Sequence, residues 1–191
     1  ENLLMAALLV IVSGQEENSI FEILENIKPV RGRMELAATK KNGATVYVDY
    51  AHTPDAIEVA LKSLKPHIQG NLFVIIGAGG ERDQGKRPLM GTAAEQNSDF
   101  VIITDDNPRN ENPSAIHQMI KQGIQNDNKV KVIADRAEAI LTAVDLLKVG
   151  DGLLIAGKGH ETEQVVGENN FPFDDFEQAS LSVASLDGIE Q

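Results

Sequence analysis

The chain has 191 residues, of which 42% are apolar, and its formal net charge is −12 at pH 7. This length suits one domain with a small appendage, and the charge argues against nucleic acid or an anionic membrane as the main partner. Because the sequence contains no cysteine, it can form neither a disulfide framework nor a cysteine zinc site. The same absence fits a reducing compartment, and we expect the protein to be cytoplasmic.

The N-terminal stretch begins with a run of apolar residues at positions 3–12. A run of this length is too short to cross a bilayer, and the two residues before it lack the positive charge of a signal peptide. The run therefore predicts a buried helix, which Ser13-Gly14 would end. A second short helix is predicted over residues 18–26.

The pattern changes at Lys28-Pro29, where the proline breaks the chain. We interpret residues 1–29 as the helical end of a preceding domain and residues 30–191 as the main domain. Because the sequence starts at Glu1 rather than at methionine, we expect it to be a fragment of a longer protein.

From residue 45 onward, strand patterns alternate with helix patterns. Strands are predicted at residues 45–50, 72–76, 100–103, 130–133 and 153–156, with a weaker edge strand at 164–166. Helices are predicted at residues 54–65, 88–96, 113–123, 136–147 and 175–186. Several helices begin after a capping residue, such as Thr53 before Pro54. The alternation predicts an α/β fold, a Rossmann-like three-layer domain with a mostly parallel sheet flanked by helices.

Polar residues concentrate directly after the strands. The runs concerned are residues 49–53, 79–87, 105–109 and 158–161. The carboxyl ends of parallel strands lie at one edge of the sheet, which is where open α/β sheets bind their ligands. We therefore expect these loops to form one site.

The run at residues 104–109 offers the clearest binding chemistry. It follows an apolar strand and precedes Asn112-Pro113-Ser114, which has the pattern of a helix start. An arginine can fork onto a carboxylate, while Asp and Asn side chains can accept from an ammonium group. The loop can thus bind both ends of a zwitterion. The alternative is a surface turn, because Asp, Asn and Pro favour turns.

The glycine-rich run at residues 77–88 is close to two phosphate-binding motifs but completes neither. Arg82 stands at the third glycine position of a dinucleotide fingerprint, and Arg87 replaces the Ser or Thr of a P-loop. One interpretation is a flexible loop with solvated charges. Against it, Arg82, Lys86 and Arg87 bring three cations together in a strongly acidic chain, which suits an anionic ligand.

The four histidines do not predict a metal site. We expect His67 and His117 to be structural residues at exposed helix positions. His52 and His160 end strands, and neither has a partner at zinc spacing. Hydrogen bonding to a ligand, or within the loop, is the expected role of these two.

Catalytic groups of familiar types are missing from the sequence, which contains neither a nucleophile elbow nor a cysteine nucleophile. Glu161 can act as a base, but it can equally pair with Lys158 or Arg109. We expect no catalytic residue and no metal ligand in this fragment.

Motifs in five places, taken in order, resemble those of the Mur ligases. They are Gly32-Arg33-Met34-Glu35, residues 48–55, Gly79-Gly80-Glu81-Arg82-Asp83 with Lys86-Arg87-Pro88, Asp106-Asn107-Pro108-Arg109, and Gly157-Lys158-Gly159-His160-Glu161. The resemblance covers residues 30–191, and Asn2-Leu3-Leu4 resembles the end of the family's central ATPase domain. It implies ATP-driven amide formation through an acyl phosphate, with the incoming amino acid held by the C-terminal domain. The Asp-Asn-Pro-Arg tetrad resembles the branch that adds meso-diaminopimelate to UDP-N-acetylmuramoyl-L-alanyl-D-glutamate in peptidoglycan synthesis.

The resemblance also implies roles for individual residues. Those implied to bind meso-diaminopimelate are Arg82, Asp106, Asn107, Pro108, Arg109, Gly157 and Glu161. Those implied to contact ATP are Arg33, Asp49, Tyr50 and His52, and the candidates for contacting the UDP-N-acetylmuramoyl dipeptide are Lys86 and Arg87. The family usually has Asp where this chain has Glu81. In the family, the P-loop, the Mg2+ ligands and a carbamylated lysine belong to the central domain, so ATP and Mg2+ would be bound mainly outside this fragment.

Two alternatives stay open at this point. One is a stand-alone Rossmann-like module that binds a nucleotide or another anion. The other is a different ligase of the Mur superfamily, of the folylpolyglutamate or cyanophycin type.

Overall fold

The structure is a computed structural model that describes residues 2–24, 26–27 and 30–188. The chain divides into two compact units, Glu1–Val30 and Arg31–Gln191. This division falls next to the boundary expected between residues 29 and 30. The predicted chain break at Lys28-Pro29 lies outside the described residues, and the origin of the first unit in a preceding domain stays a prediction.

The first unit contains two helices, α1 (Asn2–Val12) and α2 (Glu17–Leu24), close to the two that the sequence predicts. The expectation that α1 is buried is wrong, because Leu4 is 60% exposed and Leu9 is 68% exposed. Two helices of 11 and 8 residues have too little surface to enclose a core. None of the helices in the described ranges has the length and apolar character that crossing a membrane would require.

The second unit is built on a six-stranded sheet. Its strands are β1 (Glu35–Thr39), β2 (Thr45–Asp49), β3 (Leu72–Ile76), β4 (Phe100–Ile103), β5 (Val130–Val132) and β6 (Gly152–Ala156). Their order across the sheet is β1-β2-β6-β3-β4-β5. β1 pairs antiparallel with β2, and every other pairing in this sheet is parallel. The sheet is therefore mostly parallel, as predicted.

Helices cover both faces of the sheet. They are α3 (Pro54–Leu64), α4 (Lys86–Asn97), α5 (Pro113–Lys121), α6 (Arg136–Leu146) and α7 (Asp175–Asp187). Helices α3, α4 and α5 contribute to one apolar cluster, and α6 and α7 contribute to a second. Within β3, Val74 and Ile76 belong to the first cluster and Ile75 belongs to the second. Successive side chains of a strand point to opposite faces, so a strand covered on both sides is apolar throughout. The predicted three-layer α/β fold is confirmed.

One predicted strand pairs outside the main sheet, and two further strands are not predicted from the sequence. The edge strand predicted at residues 164–166 is β7 (Glu163–Val166), but it pairs with β8 (Asn169–Pro172) in a separate two-stranded sheet. One edge of the main sheet is formed by β1, which, like β8, the sequence does not predict. Its Glu-Leu-Ala-Ala-Thr run contains little of the β-branched and aromatic character that marks strands.

Candidate functional site

A cavity of about 320 Å³ lies at the carboxyl ends of β2, β3, β4 and β6. The expectation that the loops after these strands meet at one edge is confirmed. Predicted amino-acid contacts that line the cavity are Arg82, Asp106, Asn107, Arg109, Gly157 and Glu161. Tyr50, His52 and Lys86 line it as well. The cavity thus combines cations, carboxylates and an amide, although the role of each residue stays a prediction.

The loops after β3 and β4 are joined directly by hydrogen bonds. The Gly80 amide donates to the Asn107 carbonyl at 2.9 Å, and Arg109 Nη1 donates to the Gly80 carbonyl at 2.8 Å. A Cβ atom on Gly80 would lie 1.9 Å from the Pro108 carbonyl oxygen, which is far inside van der Waals contact. Glycine is therefore required at this position by the close approach of the two loops, without any need for a phosphate.

Arg109 has a left-handed backbone, with φ of 51°. Its amide donates to the Val165 carbonyl at 3.0 Å, and its carbonyl accepts from the Gly167 amide at 2.8 Å. The β7–β8 hairpin therefore clamps Arg109 on both sides, and buried Pro108 restricts the preceding backbone. A non-glycine residue at positive φ is uncommon, and it persists where its surroundings fix it.

Asn107, Glu161 and Lys158 form a compact polar cluster, in which Asn107 and Glu161 line the cavity and Lys158 is fully buried. Asn107 Nδ2 donates to Glu161 Oε2 at 2.9 Å, and Lys158 Nζ donates to Asn107 Oδ1 at 3.0 Å. Lys158 Nζ also lies 3.3 Å from Glu161 Oε2. Lys158 and Arg109 are the two partners expected for Glu161, and the structure pairs Glu161 with Lys158.

Arg136 is a buried cation that the sequence analysis did not identify. Its Nε and Nη2 atoms each lie 2.7 Å from an oxygen of Asp175, whose side chain is also fully buried. Burial alone would lower the pKa of Arg136, but the Asp175 carboxylate raises that pKa above its usual value. Arg136 Nη1 and Nη2 also donate to the carbonyls of Asp105 and Ala156. The pair thus ties α6 and α7 to the ends of β4 and β6.

Arg87 does not fit the expectation of a ligand contact. Its side chain is 0% exposed, and Nη1 and Nη2 lie 2.8 and 3.0 Å from the two carboxylate oxygens of Glu111. The hydrogen bond from Arg87 lowers the pKa of Glu111 to about 2. Lys86, by contrast, lines the cavity, and its Nζ donates to the His52 carbonyl at 2.9 Å. Only one of the two candidates is therefore accessible to a ligand.

The expectation of an exposed helix position holds for His67 but is wrong for His117. His67 is exposed in the short 3-10 turn Lys65–His67. His117 is buried, and its Nε2 lies 2.6 Å from Asp105 Oδ1, although the two atoms are not aligned as in a hydrogen bond. The sequence around His117 does not show which face of α5 is buried, because that depends on how the helix packs against the rest of the domain.

The residues implied to contact ATP lie near one another, and two of them, Tyr50 and His52, line the cavity. The Arg33 guanidinium is 4.9 Å from the centre of the Tyr50 ring, which in turn lies 4.6 Å from the ring of His52. Both carboxylate oxygens of Asp49 accept backbone hydrogen bonds, from Met34 and Ala51. Asp49 therefore shapes the turn after β2.

Clusters of three or more potential metal-ligating side chains do not occur among the residues that the structure describes. Among the acidic residues that line the cavity, Glu161 is paired with Lys158 and Asn107.

Residues 32–159 match the family model described as Mur ligase, glutamate ligase domain. The UDP-N-acetylmuramoyl-L-alanyl-D-glutamate–2,6-diaminopimelate ligase of Bradyrhizobium diazoefficiens is 48% identical to the chain over 97% of the chain and 37% of that protein. The ligase of the same name from Agrobacterium fabrum is 45% identical over 98% of the chain and 38% of that protein. A solved structure with this name superposes with a TM-score of 0.78 at 36% identity, covering 97% of the chain and 38% of that structure. The chain thus spans less than two fifths of the length of these relatives.

Proposed function

The chain belongs to the Mur ligase family, and from this premise we propose that it is the amino-acid-binding part of an ATP-dependent ligase. The ligase would join meso-diaminopimelate to UDP-N-acetylmuramoyl-L-alanyl-D-glutamate, a step of peptidoglycan synthesis. Two relatives at 48% and 45% identity have names that state this reaction. The matching structure with the same name supports the proposal further.

The observation that carries the proposal is the mixture of charges in one cavity. Arg82 and Arg109 supply guanidinium groups, and Asp106 and Glu161 supply carboxylates. Diaminopimelate has two carboxylates and two amino groups, so it needs both kinds of partner in the same cleft. A volume of about 320 Å³ is at the small end of ligand cavities, which suits an amino acid.

The chemistry divides between this domain and the rest of the ligase. A carboxylate oxygen of the nucleotide-linked dipeptide attacks the γ-phosphorus of ATP, which releases ADP and leaves an acyl phosphate. An amino group of diaminopimelate, once deprotonated, then attacks the acyl carbon and phosphate leaves. The contribution of this chain is to hold that amino group within reach, and such positioning supplies much of the catalysis in reactions of this kind.

ATP and Mg2+ are proposed as the nucleotide and metal of the reaction. The Arg33 guanidinium and the rings of Tyr50, His52 and His160 form a group that can contact a nucleotide. The described residues contain no cluster of acids suited to Mg2+. We infer that the metal and most of the phosphate contacts lie in the family's central ATPase domain.

The test is an amino-acid panel with the full-length ligase that contains this chain. The enzyme is incubated with ATP, Mg2+ and the UDP-linked dipeptide, together with meso-diaminopimelate, L-lysine or L-glutamate. We expect tripeptide product and ADP with diaminopimelate at a far higher rate than with the other two. A parallel incubation replaces the dipeptide with a folate acceptor. Glutamate addition to that acceptor, with no addition of diaminopimelate to the dipeptide, would replace the proposal with a ligase of the folylpolyglutamate type.

A further inference from the structure

Lys158 is a lysine with no exposed side-chain surface, and it lies in the loop after β6 between two residues of the proposed site. Its ammonium group has three acceptors: Asn107 Oδ1 at 3.0 Å, Glu161 Oε2 at 3.3 Å and the Glu163 carbonyl at 2.5 Å. An ammonium group carries three N–H donors. All the donors of Lys158 are therefore engaged, and any effect on a ligand has to act through its neighbours.

The first neighbour, Asn107, has its side-chain amide fixed in one orientation. Its Oδ1 accepts from Lys158 Nζ and from the Val165 amide, the latter at 3.0 Å. Its Nδ2 donates to Glu161 Oε2 at 2.9 Å. A flipped amide would turn its NH2 group toward two donors, so Lys158 and Val165 together exclude that orientation.

The second neighbour, Glu161, uses one of its two carboxylate oxygens in this cluster. Its Oε2 is taken by Asn107 and Lys158, whereas its Oε1 accepts no hydrogen bond from the described residues. The side chain is 35% exposed and lines the cavity. A carboxylate anchored through one oxygen presents the other in a defined direction, which is what recognition of an ammonium group needs.

We propose that Lys158 is a positioning residue, which orients Asn107 and Glu161 so that Glu161 Oε1 can bind an ammonium group of the amino-acid substrate. The proposal rests on the proposed function, since it assumes that an amino acid occupies the cavity. Without Lys158, Glu161 Oε2 loses its cationic partner, and Asn107 Oδ1 keeps the Val165 amide as its one remaining donor among the described residues, so both side chains are held less firmly. A displacement of about 1 Å in such a site can cost on the order of 100-fold in rate.

The test compares Lys158→Met with Lys40→Met in the full-length ligase. Lys40 is a matched control because it is also a buried lysine, 9% exposed, whose Nζ donates to the Val144 carbonyl at 2.6 Å. It precedes β2 and so lies at the edge of the sheet opposite the cavity. We expect Lys158→Met to raise the KM for diaminopimelate roughly 10- to 100-fold while the KM for ATP changes less than about twofold. Lys40→Met should leave both KM values unchanged.

A purely structural role for Lys158 would lower the amount of folded enzyme without separating the two KM values. An equal KM for diaminopimelate in Lys158→Met and wild type would therefore overturn the inference. If Lys158→Met does not fold, Lys158→Gln takes its place, since its amide can still donate to Asn107 but supplies no charge to Glu161, and the same separation is expected. A wild-type enzyme that ligates no diaminopimelate would instead refute the proposed function, and the inference with it.

Discussion

Arg87 and Glu111 form a two-point ion pair across 24 residues of sequence, with N–O distances of 2.8 and 3.0 Å. Glu111 Oε1 also accepts from the Glu81 amide, and Arg87 Nη2 donates to the Gly79 carbonyl at 3.2 Å. The pair therefore anchors the glycine-rich loop to both α4 and the segment before α5. Arg82 lines the cavity and is the next residue after Glu81 in that loop, so the ion pair holds the backbone beside a cavity residue.

The first prediction concerns acid stability. The pKa of Glu111 is lowered from 4.5 to about 2 in the folded protein. Its carboxylate thus contributes stability that is fully present above pH 4.5 and is lost as the pH falls toward 2, because the unfolded chain binds the proton first. We expect Glu111→Gln to lower the free energy of unfolding at pH 7 and to flatten its pH dependence across this window.

Urea unfolding at a series of pH values from 7 to about 2 measures the effect. Glu168→Gln is the control, because Glu168 is an exposed residue of the β7–β8 turn. Parallel stability curves for wild type and Glu111→Gln between pH 4.5 and 2 would show that the ion pair contributes no acid sensitivity.

The second prediction is that Arg109 selects meso-diaminopimelate over L-lysine in the proposed reaction. The two amino acids differ by one carboxylate, onto which a guanidinium can fork. Nη1 of Arg109 already donates to the Gly80 carbonyl, which holds the side chain in place. Lysine would leave the guanidinium unpaired at a cost of about 2–5 kcal/mol, or roughly 30- to several-thousand-fold in kcat/KM.

We therefore expect Arg109→Ala in the full-length ligase to lose activity with diaminopimelate by about that factor and to lose much less with lysine. Arg109→Lys should restore little, because an ammonium group cannot reproduce the fork. The deciding measurement is the ratio of kcat/KM for the two amino acids. A ratio that stays the same in Arg109→Ala would place the specificity elsewhere.

The third prediction uses the close approach of two loops. A methyl group on Gly80 would meet the Pro108 carbonyl at 1.9 Å, so Gly80→Ala should push the loop away from Arg109. We expect the KM for diaminopimelate to rise on the order of 10-fold or more, since misplaced binding groups have effects of this size. Gly85→Ala is the control in the same loop. Its Cβ would approach the flexible end of the Asp83 side chain at 3.2 Å rather than a backbone atom, so the loop need not move. Equal KM values for the two variants would contradict the prediction.

The fourth prediction concerns ATP. The residues near Tyr50 are proposed to contact the nucleotide, and the described residues contain no cluster of three or more potential metal ligands. Induced-fit enzymes often complete such a site only when domains close. The chain of 191 residues should then bind ATP only in the millimolar range or more weakly, equivalent to about 4 kcal/mol. Micromolar affinity in titration calorimetry would instead favour a stand-alone nucleotide-binding module.

Much of the fold follows from local patterns in the sequence. Strands β3 and β6 are covered on both faces and therefore appear as continuous apolar runs, and Thr53 and Asp174 mark helix starts with side chains that accept backbone hydrogen bonds. The placement of the polar loops at one edge then follows from parallel strand direction. Strand β1 has no such local pattern, because its short alanine-containing run gains its strand character from pairing with β2.

The candidate site was predictable as a group of loops but not in its internal contacts. The Arg136–Asp175 pair joins residues 39 apart, and Lys158 meets Asn107 across 51 residues. Pairings of this kind depend on how the helices and loops pack, so they cannot be predicted from the spacing of residues in the sequence. For the same reason Arg87 resembled a ligand-binding cation, although its partner Glu111 is supplied by another loop.

The clamp on the Arg109 backbone by the β7–β8 hairpin has a consequence for how such a domain can diverge. The hairpin is a separate two-stranded sheet, so its length and composition can vary without rebuilding the six-stranded sheet. A change in the hairpin would nevertheless affect the backbone of Arg109, whose φ is 51°, because Val165 and Gly167 of the hairpin are hydrogen-bonded to it. With Arg109 in the substrate-binding role proposed for it, insertions and deletions in this surface hairpin would be a route by which substrate preference changes.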